Sequence, residues 1–198
     1  MQKFNVHTGQ AVALRRSNVD TDQIIPAVYL KRVARTGFED ALFASWRDDP
    51  EFVFNRPESA SATILVAGEE FGTGSSREHA VWALQDWGFR AVIAPSFGDI
   101  FRNNALKGGL LTVELPHEAT EQLWEVVESD SEHRITVDLL ECLVRAAERS
   151  WSFTIDNFAR QRLLEGLDDI ALTLRRQGDI DSFEQGRAPW LPQTLQRA

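Results

Sequence analysis

Ala62-Thr-Ile-Leu-Val-Ala-Gly-Glu-Glu-Phe-Gly-Thr-Gly-Ser-Ser-Arg-Glu-His-Ala-Val-Trp-Ala-Leu-Gln-Asp-Trp-Gly88 reads as strand, glycine loop and helix. Ala62 to Ala67 is an apolar, β-branched run of buried-strand length, and Gly68 ends it. Gly72 and Gly74 bracket Thr73, which lets the backbone take positive φ and aim successive N–H groups at one spot, a concavity suited to an anion. Ala80, Ala83, Leu84 and Trp87 then recur with helical period, and Gly88 stands where a C-terminal cap belongs. The helix is expected to begin near Ser75 or Ser76. Two hydroxyls and the Arg77 guanidinium would then sit at the positive end of its dipole, a place for carboxylate or phosphate.

Two readings of the helix start stay open. Ser75-Ser76-Arg77-Glu78 also fits the S-x-x-E capping box, in which Ser75 caps the helix and Glu78 reaches back. Capping needs one serine and no arginine, so it leaves Ser76 and Arg77 unexplained. The loop lacks the third glycine of the dinucleotide fingerprint and the Gly-Lys-Ser/Thr of a P-loop, which makes nucleotide binding the weaker alternative.

Downstream, Ala91–Ala94 is too short and β-branched for a helix, so strand, helix and parallel strand follow one another. Asp99 is placed to cap a helix to about Lys107, Gly108-Gly109 stops it, and Leu110–Leu115 gives the next strand. The loop at Ser96 to Asp99 leaves a strand's C-terminal end, where open α/β sheets bind ligands, and Asn103 and Asn104 beyond it are either supports of that site or helix-surface asparagines. Glu118–Ser129 is an amphipathic helix, and Ile135, Val137, Leu139 and then Trp151, Phe153, Ile155 alternate as antiparallel strands. Asp156 starts a helix ended by Gly166, Asp168 another ended by Gly178, and residues 185–198 read as a loose or docked tail.

Upstream, Phe4–Thr8 and Ala11–Leu14 flank Gly9-Gln10 as two strands about a tight turn. Asn18-Val-Asp-Thr-Asp-Gln is a polar loop closed by Pro26. Tyr29-Leu-Lys-Arg-Val-Ala-Arg-Thr-Gly37 is a cationic segment with two apolar members, suited to a substrate with carboxylates and an alkyl group. Phe38–Trp46 reads as a helix, and residues 47–57 as an irregular link whose aromatics serve packing.

At 198 residues and 43% apolar content the chain can bury a core as one domain, 1–198. A net charge of −9 opposes nucleic acid or an anionic membrane as partner. No apolar run nears the roughly 18 residues of a membrane span and no signal-peptide core opens the chain, so a cytoplasmic protein is expected. Cys142 is the single cysteine, too few for an iron–sulfur cluster, and His7, His79, His117 and His133 lack metal-ligand spacing. No metal is expected on this chain.

Phe71-Gly-Thr-Gly-Ser-Ser-Arg-Glu-His-Ala80 resembles the G-x-G-S-S-R-E-H-A signature of the aconitase superfamily's mobile C-terminal domain. Asn18-Val-Asp-Thr-Asp-Gln-Ile-Ile-Pro-Ala27, Ala94-Pro-Ser-Phe-Gly-Asp-Ile-Phe-Arg-Asn-Asn104, and Phe153–Asp156 with Gly166–Ile170 extend the likeness over nearly the whole chain. A free-standing chain of this size is similar to the small-subunit family of the 3-isopropylmalate dehydratases. That resemblance implies an α/β swivelling β/β/α domain, a mixed sheet with parallel core strands flanked by helices.

It also implies a function: a hydro-lyase half-site of leucine biosynthesis that isomerises 2-isopropylmalate to 3-isopropylmalate by dehydration and rehydration. On this basis Ser75 is the base, Arg77 grips a substrate carboxylate, and Ser76 and Gly74 assist. Tyr29, Leu30 and Lys31 meet the substituent, and Asp20, Thr21 and Asp22 form a loop at the subunit interface. A [4Fe-4S] cluster is expected on a large-subunit partner in a heterodimer or higher assembly, with no cofactor on this chain. A homoaconitate or methyl-malate substrate, and a non-catalytic carboxylate or phosphate module, are the alternatives. Thr73 and Glu70 stand where the family commonly has cysteine or serine and asparagine, and Glu70 adds a negative charge beside the proposed anion site.

Overall fold

The computed structural model describes residues 1–130, 134–188 and 190–192. Its first strand, β1 (Val6–Leu14), changes partner halfway along. Residues 11–14 pair in parallel with β2 (Ile64–Ala67), while residues 6–10 pair antiparallel with a strand at Arg134–Asp138. The expected pair of strands about a Gly9-Gln10 turn is therefore corrected to one continuous strand. Gly9 faces Ile135, and a Cβ on it would overlap the Thr63 hydroxyl. Glycine is needed here for close approach, not for turning.

The polar loop at 18–23 holds a helical turn, α1 (Thr21–Ile24), closed by a capping box between Asp20 and Gln23. Beyond it, the helix expected at Phe38–Trp46 is replaced by tight turns and a short 3-10 segment at Ala44–Trp46. Phe38, Ala41, Leu42 and Phe43 are all fully buried. An α-helix could turn the first three to one side but not Phe43, which instead adopts φ 51° and stacks on Trp46 at 5.3 Å. Phe52 and Phe54 from the irregular link join this cluster, so its aromatics are core, as expected. Fully burying one such ring is worth about 1.5–3 kcal/mol.

After β2 come α2 (Glu78–Trp87), β3 (Ala91–Ala94), α3 (Asp99–Gly108) and β4 (Leu111–Glu114), with β2, β3 and β4 in parallel register. Every residue of β2 and β3 is buried, which is why these strands are apolar without alternation. Two expected helix starts are corrected. Gly98, not Asp99, is the cap residue of α3, and α2 begins at Glu78 rather than at Ser75 or Ser76.

The chain continues through α4 (His117–Ser129) to β5 (Arg134–Asp138), β6 (Leu143–Ala146) and β7 (Arg149–Ser152), paired antiparallel in sequence. The sheet order is β4-β3-β2-β1-β5-β6-β7. This is the expected mixed sheet with parallel core strands flanked by helices, with the short β6 as an addition to the strands that alternation suggests. One face packs Leu65, Ala67, Val92 and Ala94 under α2, α3 and the aromatic cluster. The other packs Ile64, Val66, Ile93 and Val113 against α4, whose Trp124 indole donates to the Val66 carbonyl at 3.0 Å.

Asp156 caps α5 (Asn157–Glu165), which Gly166 ends, and Asp168 caps α6 (Asp169–Leu174). Gly178 does not end α6 but lies inside α7 (Gln177–Gln185). Neither α6 nor α7 contributes a buried residue, so no packing prolongs α6 to the expected glycine. The expected tail starts at the last residue of α7; its residues 189 and 193–198, and His133, lie outside the described residues.

Candidate functional site

The turn between β2 and α2 is held from both sides. Toward the N-terminal loop, the Gly72 amide donates to the Val19 carbonyl at 2.7 Å and the Thr21 amide donates to the Thr73 carbonyl at 3.0 Å. The buried Thr21 hydroxyl donates to the Ser75 carbonyl at 2.9 Å. Toward the loop after β3, the Phe71 amide donates to the Ser96 carbonyl at 3.1 Å and the Gly98 amide to the Phe71 carbonyl at 3.0 Å. Gly72 and Gly74 have φ of 79° and 87°, the left-handed conformations read from their spacing.

The turn therefore leaves the sheet without becoming helix. Ser75 does not cap α2: the cap residue is Arg77, with no side-chain cap bond, so the capping-box alternative is not realised. Ser75 and Ser76 are exposed, and neither hydroxyl has a partner among the described residues. The amides of Gly74 to Arg77 likewise have no acceptor among them. A free hydroxyl stands amid a row of free N–H donors. Because the helix starts three residues after Ser75, these local amides are the nearer donors and the dipole of α2 the more distant one.

Arg77 is largely buried and ion-paired to the more exposed Asp22 of α1. Its remaining N–H donors have no partner among the described residues, which leaves part of the guanidinium fork for a carboxylate. Asp20 and Thr21 are thus brought onto the turn, and Asp22 onto Arg77. The loop's own sequence carries no sign of these pairings beyond its capping chemistry.

Tyr29, Leu30 and Lys31 lie in a 3-10 turn at Ala27–Lys31. No hydrogen bond or ion pair among the described residues joins them to Ser75, Ser76 or Arg77. The segment is closed by Arg32, which forks onto Asp40 at 2.6 and 2.7 Å and covers the Tyr29 ring at 4.8 Å. That hydrogen-bonded pair holds the Asp40 carboxyl below its ordinary range. The segment meets α2 through Phe38, whose ring meets His79 edge-on at 5.6 Å while His79 packs on Trp82 at 4.6 Å. His79 is thus a packing residue here. The side chains of Asn103 and Asn104, on α3, make no hydrogen bond among the described residues.

A cleft of about 650 Å³ lies elsewhere, between β1, the 49–59 link and the end of α4. None of Asp22, Ser75, Ser76 and Arg77 lines it. Chemistry places the site at the serine turn instead, which carries the exposed, unpartnered hydroxyls and the Arg77 guanidinium, only part of which Asp22 engages. Among the described residues no three of His, Cys, Asp and Glu converge as a metal site, and no helix is long and apolar enough to cross a membrane.

The family model of the aconitase C-terminal domain matches residues 1–118, and that of the C-terminal domain of 3-isopropylmalate dehydratase small subunits matches residues 169–194. A 3-isopropylmalate dehydratase small subunit of Acidothermus cellulolyticus is 68% identical over 98% of both chains. That of Thermobifida fusca is 64% identical over 98% of this chain and all of its own. A solved 3-isopropylmalate dehydratase structure from Methanocaldococcus jannaschii superposes with a TM-score of 0.67 at 27% identity, covering 90% of this chain and 99% of that one.

Proposed function

Since the chain belongs to the family of 3-isopropylmalate dehydratase small subunits, built on an aconitase C-terminal domain, we propose that its serine turn supplies the proton-abstracting half of a hydro-lyase site. The partner is the large subunit, the substrate a 2-hydroxy dicarboxylate with an isopropyl group, and the reaction the isomerisation of 2-isopropylmalate to 3-isopropylmalate. The observation that carries this reading is the free Ser75 hydroxyl on a turn whose backbone is fastened on both sides.

Ser75 takes the proton from the carbon beside a substrate carboxylate. Arg77 binds that or the second carboxylate with the donors that Asp22 leaves open. Gly74 and Ser76 direct backbone N–H groups at developing negative charge. Tyr29, Leu30 and Lys31 meet the substituent once the partner presses their segment inward; Leu30 takes the alkyl group.

A serine alkoxide demands strong local stabilisation. Lowering the hydroxyl by five pKa units corresponds to roughly 7 kcal/mol. Hydrogen bonds to a charged oxygen contribute about 1.5–3 kcal/mol each, so three or four of the free amides suffice in a dry site. On an open surface water screens them, so the base forms only when a second polypeptide covers the turn. With Cys142 its single cysteine, this chain cannot furnish the thiolates of a [4Fe-4S] cluster. The cluster is assigned to the large subunit, where it would act as the Lewis acid for the departing hydroxyl.

Mixing the chain with a cluster-bearing large subunit tests this. Neither chain alone should turn over 2-isopropylmalate; the mixture should, and Ser75→Ala should abolish turnover while substrate binding largely persists. Turnover by the isolated chain would refute the split site. Turnover of homoaconitate or methyl-malates in preference to isopropylmalate would reassign the substrate.

A further inference from the structure

Glu70 stands immediately before the glycine loop with φ 55°, a left-handed conformation that a side chain with Cβ seldom adopts. We propose that Ser96 is a positioning residue for the reaction: it locks Glu70 in this conformation and so fixes the direction in which Gly72–Ser75 leaves the sheet. The inference rests on Ser75 as the base.

The lock is reciprocal. The Glu70 amide donates to Ser96 Oγ at 2.9 Å, and that same hydroxyl donates to Glu70 Oε1 at 2.8 Å. One residue on, the Ser96 carbonyl takes the Phe71 amide at 3.1 Å. Ser96 thus holds two consecutive residues of the turn with its side chain and its backbone. The turn's far side is tied to Val19 and Thr21. If Glu70 relaxed to negative φ, rotation about its Cα would re-aim everything after it, and the Ser75 carbonyl could not stay on Thr21. The unusual carboxylate beside the anion site gains a role as well: it is the acceptor that orients the Ser96 hydroxyl, and it faces the loop after β3.

Among the described residues the Ser96 hydroxyl bonds to Glu70 and not to Ser75 or Arg77, so its effect must pass through the backbone. In the reconstituted two-subunit enzyme, Ser96→Ala should lower kcat about tenfold or more, with KM within about twofold and unchanged affinity for the large subunit. Ser96→Thr, which keeps the hydroxyl, should restore most of kcat. Glu70→Asn added to Ser96→Ala should recover much of the loss, because asparagine enters the left-handed region readily. A wild-type kcat in Ser96→Ala, or no recovery with either Ser96→Thr or Glu70→Asn, overturns the proposal. If Ser96→Ala alone does not fold, the Glu70→Asn/Ser96→Ala chain decides: folded and active supports the lock, unfolded overturns it. Ser75→Ala in the same assay separates the two levels. Turnover by Ser75→Ala removes the base reading, whereas its silence beside a wild-type kcat in Ser96→Ala removes only the positioning role.

Discussion

The Thr21 hydroxyl donates a 2.9 Å hydrogen bond to the carbonyl of Ser75, 54 residues further along the chain. Its amide holds the Thr73 carbonyl as well, so one buried threonine places both of its donors on the serine turn. Thr21→Val keeps the shape and removes the hydroxyl bond. Stability should fall by about 1 kcal/mol in denaturant titration, and kcat of the reconstituted enzyme by about tenfold. Thr21→Ser should restore both; equal kcat for valine and serine would show that the bond does not place Ser75.

Arg77→Lys replaces a planar fork, partly engaged by Asp22, with a point charge. KM should rise about tenfold, or about 1.4 kcal/mol of binding, with a smaller change in kcat. Steady-state kinetics with the large subunit present would read this, and an unchanged KM would remove Arg77 from carboxylate binding.

A methyl group on Gly72 would enter the Phe101 ring, and the residue holds φ 79°. Left-handed strain costs about 1–2 kcal/mol and overpacking about 1–3 kcal/mol, so Gly72→Ala should lose about 3 kcal/mol in urea titration. A loss under about 1 kcal/mol would mean that the loop relaxes away from the ring.

The Asp138 carboxyl is held below its ordinary range, chiefly by the Glu141 amide and then by Arg145. A depressed folded-state pKa gives stability that is whole above the unfolded value of about 4 and is lost as pH falls through the folded value. Unfolding free energy should drop more steeply below about pH 4 in the parent chain than in Asp138→Asn. Parallel curves would show that the carboxylate does not contribute.

The strand–loop–helix unit around Ile64–Trp87 is legible in the sequence because its strand is buried on both faces and its helix on one, and glycines punctuate each end. The helix start is not. Ser75-x-x-Glu78 satisfies a local capping rule, but Thr21 captures the Ser75 carbonyl and the positive φ of Gly72 and Gly74 carries the chain away from helix. Tertiary bonds outweigh a local motif. Likewise Asp22 is readable as loop chemistry, yet its pairing with Arg77 spans 55 residues and leaves no periodic trace. The cationic run at 29–37 is visible as charge, while its closure by Arg32 on Asp40 depends on where Phe38 is buried.

Strand β1 is the seam of the sheet, since its first half belongs to the antiparallel side and its second half to the parallel side. During synthesis it emerges before both of its partners and must wait for residues 64–67 on one flank and 134–138 on the other. Such distant pairings make closure slow, and meanwhile a strand with an apolar second half, Ala11–Leu14, has both flanks bare. A chaperone that shelters nascent β1 is therefore expected to raise the yield of native chain more than one acting after release.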